Sequence, residues 1–400
     1  MAETLLSPGV LTRENDQSLV TQGPVVAGLA ILGPTVKGPV NIPTVVTSYS
    51  DYVNKFGGSF TSASIKYEYL TNISINNYFQ QGGETAVVTR IVSASYAPAS
   101  TEVRAIMHAD SASFTLETLS EGDIMNNSGS VSTSGSLVNG STENVRYEIA
   151  NVDSGSGTFN LLIRRGDDTT SRKTILESWV DLSLDPNSPN YIEQVIGNQR
   201  QNFDTDGDGN RFVQVTGSYS NNSRFVRVSA VGSPTLDYLD SDGNFKPALT
   251  SSLPQIGSGS NQGAFTGAAG SVFGKGANGN TRLKMYDEID VSSIQGLEAA
   301  YYTASLDLLK NTDEYDFEIL TIPGVTIQNG NVAVNSAIDC VTQRGDAIAI
   351  VDTRNYGSTL SQAVTSATTV DSSYAATYWP WVQVLGIETG KLVFVPASTV

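Results

Sequence analysis

Asp204, Asp206 and Asp208 stand at alternate positions ahead of Gly209, in the run Asp-Thr-Asp-Gly-Asp-Gly. That spacing opens a calcium-binding loop, where alternate carboxylates converge on one ion. Two positions break the pattern. Arg211 stands where an aliphatic residue belongs, and Val215 where a bidentate glutamate belongs. Asx side chains also bond their own backbone in tight turns, so the segment reads as an acidic hairpin turn, with adventitious divalent-cation binding as the alternative. A second run, Ala269-Gly270-Ser271-Val272-Phe273-Gly274-Lys275-Gly276, approaches a phosphate-binding loop. It lacks the first glycine at Ala269 and the magnesium-binding hydroxyl at Gly276, and no buried strand precedes it. A flexible linker over Gly257–Asn280 accounts for it better.

His108 is the chain's one histidine, so a multi-histidine metal site is excluded and any Ser-His-Asp triad would have to use it. It lies in a strand-like run, Val103–His108, and is read as non-catalytic. Cys340, the one cysteine, sits among apolar neighbours at helical spacing and reads as a buried structural thiol; no intrachain disulfide can form. Asp352 follows the apolar strand Ala347–Val351. Active sites of open α/β folds gather at such carboxyl ends. Nothing near Asp352 in sequence supplies a base, nucleophile or cofactor loop, so no catalytic, cofactor or metal residue is assigned.

The elements that would position these residues alternate. Val25–Leu32 is a short apolar strand ended by Gly33-Pro34, and Thr44–Thr47 is another. Ser50–Phe56 reads as a helix capped by Gly57-Gly58, Ser62–Gln81 as a longer one with Ile65, Leu70, Ile73 and Tyr78 inward, and Ala86–Val92 as a β-branched strand. After Ser93 the chain turns rich in Ser, Gly, Asn and Asp, with short strands such as Phe159–Arg164 and Phe225–Val231. Beyond Leu283 the alternation resumes: helix Leu297–Leu309, strand Phe317–Ile322, helix Val332–Val341, strand Ala347–Val351, helix Leu360–Ala367, and strands Val382–Ile387 and Lys391–Val395. Strands alternating with helices imply a largely parallel sheet. The expected organisation is α/β plus β-rich: an extended N-terminal arm over residues 1–22, an α/β core over 23–92 and 282–400, and an inserted β-rich surface domain over 93–281.

Composition agrees with a turn-rich protein. Of 400 residues only 16% are charged, against an average of about 25%. The formal net charge is −17, which repels nucleic acid and anionic membranes. No window approaches the ~18 continuous apolar residues of a membrane-spanning helix.

Leu6-Ser7-Pro8-Gly9-Val10, Gly33-Pro34, Lys37-Gly38-Pro39-Val40, Pro43 and Tyr52–Phe56 with Gly57 occur in an order that resembles the contractile tail sheath family. Phe79-Gln80-Gln81-Gly82-Gly83 followed by Val87–Val92, with Arg90, continues the pattern. Phe317–Gly324 and Ala347–Asp352 are similar to the family's α/β core, and Ser183-Leu184-Asp185-Pro186 with Tyr191-Ile192-Glu193 to a more variable β region. The resemblance covers Leu5–Val92 and Tyr286–Val400 well and the insertion poorly.

The resemblance implies a structural protein, not an enzyme, with no cofactor. Such subunits stack as hexameric rings in a helix around a tail tube, with the baseplate and tail terminator as further partners. They contract to drive the tube through the host envelope during genome ejection. The implied location is the virion tail, assembled in the host cytoplasm, without nucleic-acid contact or membrane insertion. Terminal arms that add strands to neighbouring sheets tie subunits together, and Leu6, Ser7, Pro8, Gly9, Val10, Leu11 and Thr12 are the expected arm residues. The family's C-terminal domain, which receives the arms, is expected to be missing, so a polypeptide ending at Val400 is expected to stay soluble. Two alternatives stand beside this reading: the sheath of a bacterial contractile injection system, and a glycan- or receptor-binding surface protein. The second would use Tyr147, Trp179, Tyr191 and Tyr219 as an aromatic platform, although these read first as core.

Overall fold

The computed structural model describes residues 25–62, 65–92, 96–106, 111–123, 125–132, 135–232, 242, 244, 252–257, 263–270, 297 and 299–400. The chain runs through β1 (Val25–Gly33), β2 (Thr44–Val46), α1 (Tyr49–Phe56), β3 (Phe60–Ser62), β4 (Ile65–Tyr67), α2 (Leu70–Gln80) and β5 (Ala86–Arg90). It then enters a strand-rich stretch: β6 (Pro98–Arg104), β7 (Ala112–Glu121), β8 (Val145–Asp153), β9 (Thr158–Arg165), β10 (Ile175–Ser183), α3 (Ile192–Ile196), β11 (Arg200–Thr205), β12 (Arg211–Thr216) and β13 (Val226–Val231). The final stretch holds α4 (Ala299–Leu309), β14 (Tyr315–Thr326), α5 (Ile327–Arg344), β15 (Ile348–Asp352), α6 (Leu360–Ala367), β16 (Ala375–Ala376), β17 (Val382–Leu385), β18 (Leu392–Val395) and a 3-10 turn, Ala397–Thr399.

Six strands form the central sheet in the order β16-β15-β14-β1-β5-β2. Five are mutually parallel, and only β2, at one edge, runs antiparallel to its neighbour. Ala86, Val87 and Val88 of β5 are buried and apolar on both sides because helices cover both faces. On one face α4 and α5 pack through Leu306, Leu309, Val334 and Val341. On the other, α1 and α2 meet Leu29, Ile31 and Val88 through Tyr52, Phe56 and Ile75. The approach of α2 to β1 depends on two missing side chains. A Cβ on Gly28 would collide with the Tyr78 hydroxyl, and one on Gly33 with that of Thr71.

The helix ends follow local chemistry. Ser48 Oγ accepts from the Asp51 N–H at the start of α1. Thr326 with Asn329, and Thr359 with Gln362, form reciprocal capping boxes on α5 and α6. Gly345 ends α5 in the left-handed conformation, φ 74°.

The strand-rich stretch builds two three-stranded antiparallel sheets, β13-β7-β6 and β10-β9-β8, and a β11-β12 hairpin. Phe114 on β7 stacks on Phe159 of β9, ring centroids 5.6 Å apart, within one apolar cluster fed by both sheets. Among the described residues no helix is long and apolar enough to cross a membrane.

Three expectations need correction. The helix read over Ser62–Gln81 begins only at Leu70, because Phe60–Ser62 and Ile65–Tyr67 pair as antiparallel strands. Val382–Ile387 and Lys391–Val395 do not extend the parallel sheet. They pair with each other and lay Val382, Val384, Val393 and Val395 on Leu70 and Ile73 of α2. Part of the expected linker is built into the fold: Thr266 and Ala269 bridge to Ser100 and Ala97, and Phe265 is buried.

Candidate functional site

Successive crossovers from β1 lead to β5 on one side and to β14 on the other. In an open α/β sheet this reversal opens a crevice at the strands' carboxyl ends. Here the chain's own 3-10 turn lies over the ends of β14 and β15. Thr321 Oγ1 donates to the Ser398 carbonyl (3.5 Å), and Asn77 Nδ2 to the Thr399 carbonyl (2.9 Å). Asp352, 3% exposed, accepts from the Ser398 N–H (3.3 Å) and Oγ–H (2.5 Å). Beside it the buried Thr326 hydroxyl bonds Asn355 Oδ1 at 2.7 Å.

Burial pushes the Asp352 carboxyl up to about 7, against the pull of the two Ser398 hydrogen bonds. Both bonds come from one residue, the pattern of a carboxylate clasping a turn. Nucleophilic catalysis at Ser398 would need the hydroxyl activated by a base that a third group orients. Among the described residues no other titratable group acts on Asp352.

A second clasp fastens the tip of the β17–β18 hairpin. Glu68, fully buried, accepts from Asn72 Nδ2 and, more weakly, from the Thr389 hydroxyl (3.5 Å). Burial raises its pKa, while hydrogen bonds from Asn72 and from the backbone at Glu388 and Thr389 oppose the rise. Glu388 in turn meets the Tyr49 hydroxyl (3.3 Å), the Ser59 hydroxyl (3.3 Å) and Lys66 Nζ (3.1 Å). The hairpin's outer face stays apolar and open: Leu385, Leu392 and Phe394 are 61%, 64% and 41% exposed. Tyr356 packs on Phe394 with centroids 4.5 Å apart. Among the described residues neither outer edge of this ribbon is paired.

A third feature joins the central sheet to the strand-rich stretch. Arg90, at the end of β5, is fully buried, and its Nη1 donates to the carbonyls of Gly38 (2.6 Å) and Glu121 (2.8 Å). Its guanidinium lies 5.1 Å from the Tyr96 ring centroid. Burial lowers its pKa, opposed chiefly by Tyr96 and Tyr69. Gly38 N–H donates to the Ser120 hydroxyl at 2.9 Å, beside the same contact.

The expected arm residues Leu6–Thr12 lie outside the described residues, as do His108 and residues 271–276. Ala269 hydrogen-bonds Ala97, so the opening of the phosphate-loop-like run is part of a strand pairing. The acidic run forms the tip of the β11–β12 hairpin. Asp206 turns its carboxylate onto the backbone N–H groups of Asp208 (2.9 Å) and Asn210 (2.7 Å) and onto the Asn210 amide (2.9 Å). Those bonds, the Asn210 side chain first, hold it below the usual carboxylate range. Among the described residues no three His, Cys, Asp or Glu side chains converge on one point. Cys340 is buried, and burial pushes its thiol up to about 12. Tyr147 and Tyr191 are buried in the core of the strand-rich stretch, with Trp179 and Tyr219 packed against it, so the four form no exposed platform.

Sequence reasoning missed Ser398, Glu68 and Glu388 as clasping residues. Arg90 carried a signal: it is the one charged residue in Ala86–Val92, and a cation in an apolar run must find acceptors.

No protein-family model and no curated protein matches the chain. Among the solved structures to which it is similar are two sheath tail proteins. The sheath tail protein of Listeria innocua is 12% identical, with 82% of this chain and 48% of that one covered, at a TM-score of 0.40. That of Desulfitobacterium hafniense is 11% identical, with 98% and 60% covered, at a TM-score of 0.38. The chain therefore spans about half to three fifths of the length of those structures.

Proposed function

We propose that this chain is a structural subunit of a contractile tail sheath, polymerising around a tail tube and contracting to drive that tube through a host envelope. The observation that carries the reading is the β17–β18 ribbon, with edges unpaired among the described residues and an open apolar face. A ribbon of this kind is a template for strand addition from another chain. The ordered sequence segments from Leu6 to Val92 that resemble the sheath family support the same reading. In it, Leu6–Thr12 are the linking arm of a neighbouring subunit. The central sheet is the rigid body, residues 93–281 are an outward-facing insertion, and tube, baseplate and terminator are the other partners. The role is mechanical, and head-to-tail contacts that do not close produce a helical polymer. The location is the virion tail.

The test is immunogold electron microscopy of contractile particles from the producing cells, using an antibody raised against the full chain. Label distributed along the whole sheath is the expected result. Label confined to fibres or baseplate, or particles bearing none, refutes the assignment.

A further inference from the structure

Asp352 carries a feature that the turn clasp alone does not explain. Its carboxylate is buried at the end of β15, and its two hydrogen bonds come from the N–H and hydroxyl of Ser398. Among the described residues no cation is paired with it. Arg354, two residues on, directs its Nε–H at the Gln362 carbonyl (3.3 Å). On the neighbouring β14, Thr326 bonds the uncharged Asn329 and Asn355. A buried carboxylate without a counter-charge is costly.

Ser398 also forms part of the wall of a cleft of about 450 Å3 that opens to solvent. Tyr378, Trp379 and Pro380 stand around it, with Ile350 and Val382. Tyr378 is 60% exposed. Aromatic faces attract cations, apolar walls suit an aliphatic stem, and behind Ser398 lies the Asp352 carboxyl, which has no paired cation among the described residues to meet its charge once it ionises. The whole chain carries a net charge of −17, which draws basic partners toward it.

We propose that this cleft is the docking pocket for one cationic side chain, an arginine, presented by a partner protein. A guanidinium is flat, weakly hydrated and able to stack on a ring while donating to an oxygen, which suits this cleft better than an ammonium. Ser398 stands between the cleft and Asp352, its hydroxyl donating to the carboxylate. A purely apolar occupant would leave that charge unmatched. The proposal does not rest on the sheath reading, because cleft and carboxylate both belong to the single chain.

The probes are N-acetyl-arginine methylamide and its uncharged near-isostere, N-acetyl-citrulline methylamide, titrated while the Ile350 δ1-methyl resonance is followed by NMR. The arginine probe is expected to shift that resonance saturably. Binding that requires the ionised carboxylate scales with the ionised fraction. With Asp352 at about 7, affinity should rise about tenfold between about pH 6 and about pH 8. The citrulline probe should bind more weakly and without that pH dependence. In Asp352→Asn the preference for arginine and the pH dependence should both vanish. Equal binding of the two probes, no saturable shift up to about 50 mM, or an arginine preference that survives in Asp352→Asn overturns the proposal. The comparison of the two probes on the unaltered protein decides the matter even if the variant folds poorly.

Discussion

Replacing Asp352 with asparagine should make the protein's stability less dependent on pH, in a direction opposite to most surface carboxylates. In the folded chain this group ionises at about 7, against an ordinary 3.8. At about 1.36 kcal/mol per pH unit, that difference corresponds to about 4 kcal/mol. The sign follows from proton binding. Below about pH 4 both folded and unfolded chains hold the proton, and the group contributes nothing. Between about pH 4 and about pH 7 the unfolded chain loses its proton while the folded chain keeps it, so stability falls as pH rises. Above about pH 7 the full destabilisation of about 4 kcal/mol is present. The asparagine of the variant would never ionise. Its amide oxygen can still accept from Ser398, and any cost of its NH2 group, about 1–3 kcal/mol if left unbonded, is the same at every pH. The assay is urea unfolding of both proteins at several pH values, taking the difference between them so that other carboxylates cancel. The variant should gain about 4 kcal/mol on the wild type between about pH 4 and about pH 8. A difference constant to within about 1 kcal/mol across that range would refute the reasoning, because it would place the carboxylate in contact with water or a cation.

Asp168→Ala should be among the most damaging single changes in the strand-rich stretch. It leaves Arg164, held bidentately at 2.8 and 2.7 Å and almost wholly buried, without its main counter-charge. The expected loss is about 3–5 kcal/mol, read by urea unfolding. Gly345→Ala should cost only about 1 kcal/mol, because the nearest atom to an added Cβ, the Tyr374 hydroxyl, is 4.0 Å away and only the left-handed backbone resists. Thermal unfolding should show a fall of a few degrees, and no change at all would mean that the turn relaxes to another conformation.

The parallel core was legible where local chemistry and burial agree. Leu360–Ala367 matches its sequence reading because the capping box of Thr359 and Gln362 sets its start. Residues 62–67 were misread because Ile65 and Leu70 keep an apolar spacing that a helix also shows, and only pairing with Phe60–Ser62 decides for strands. Strand β6 was read only at its end, in the run Val103–His108, because the small and polar Ala99 and Thr101 fill its earlier inward positions. The candidate site was half legible. Asp352 stood out as a carboxylate ending an apolar strand. Its partner Ser398 lies 46 residues away, on a turn whose placement depends on the hairpin before it. The clasp of Glu68 and Glu388 spans the chain in the same way and leaves no local trace.

The contact at Arg90 has a consequence for how this sequence can drift. Its two closest acceptors are main-chain carbonyls, at Gly38 and Glu121. Any residue able to follow the same backbone path supplies a carbonyl, so the hydrogen bond at position 121 does not need the glutamate side chain, although the Glu121 charge also favours the Arg90 cation. Gly38, at φ 108°, is held to its identity by backbone shape rather than by the bond it accepts. The two carbonyl bonds therefore place their side-chain demand on Arg90 alone, and many side chains of the strand-rich body beyond it can change while those two bonds keep its footing on the sheet.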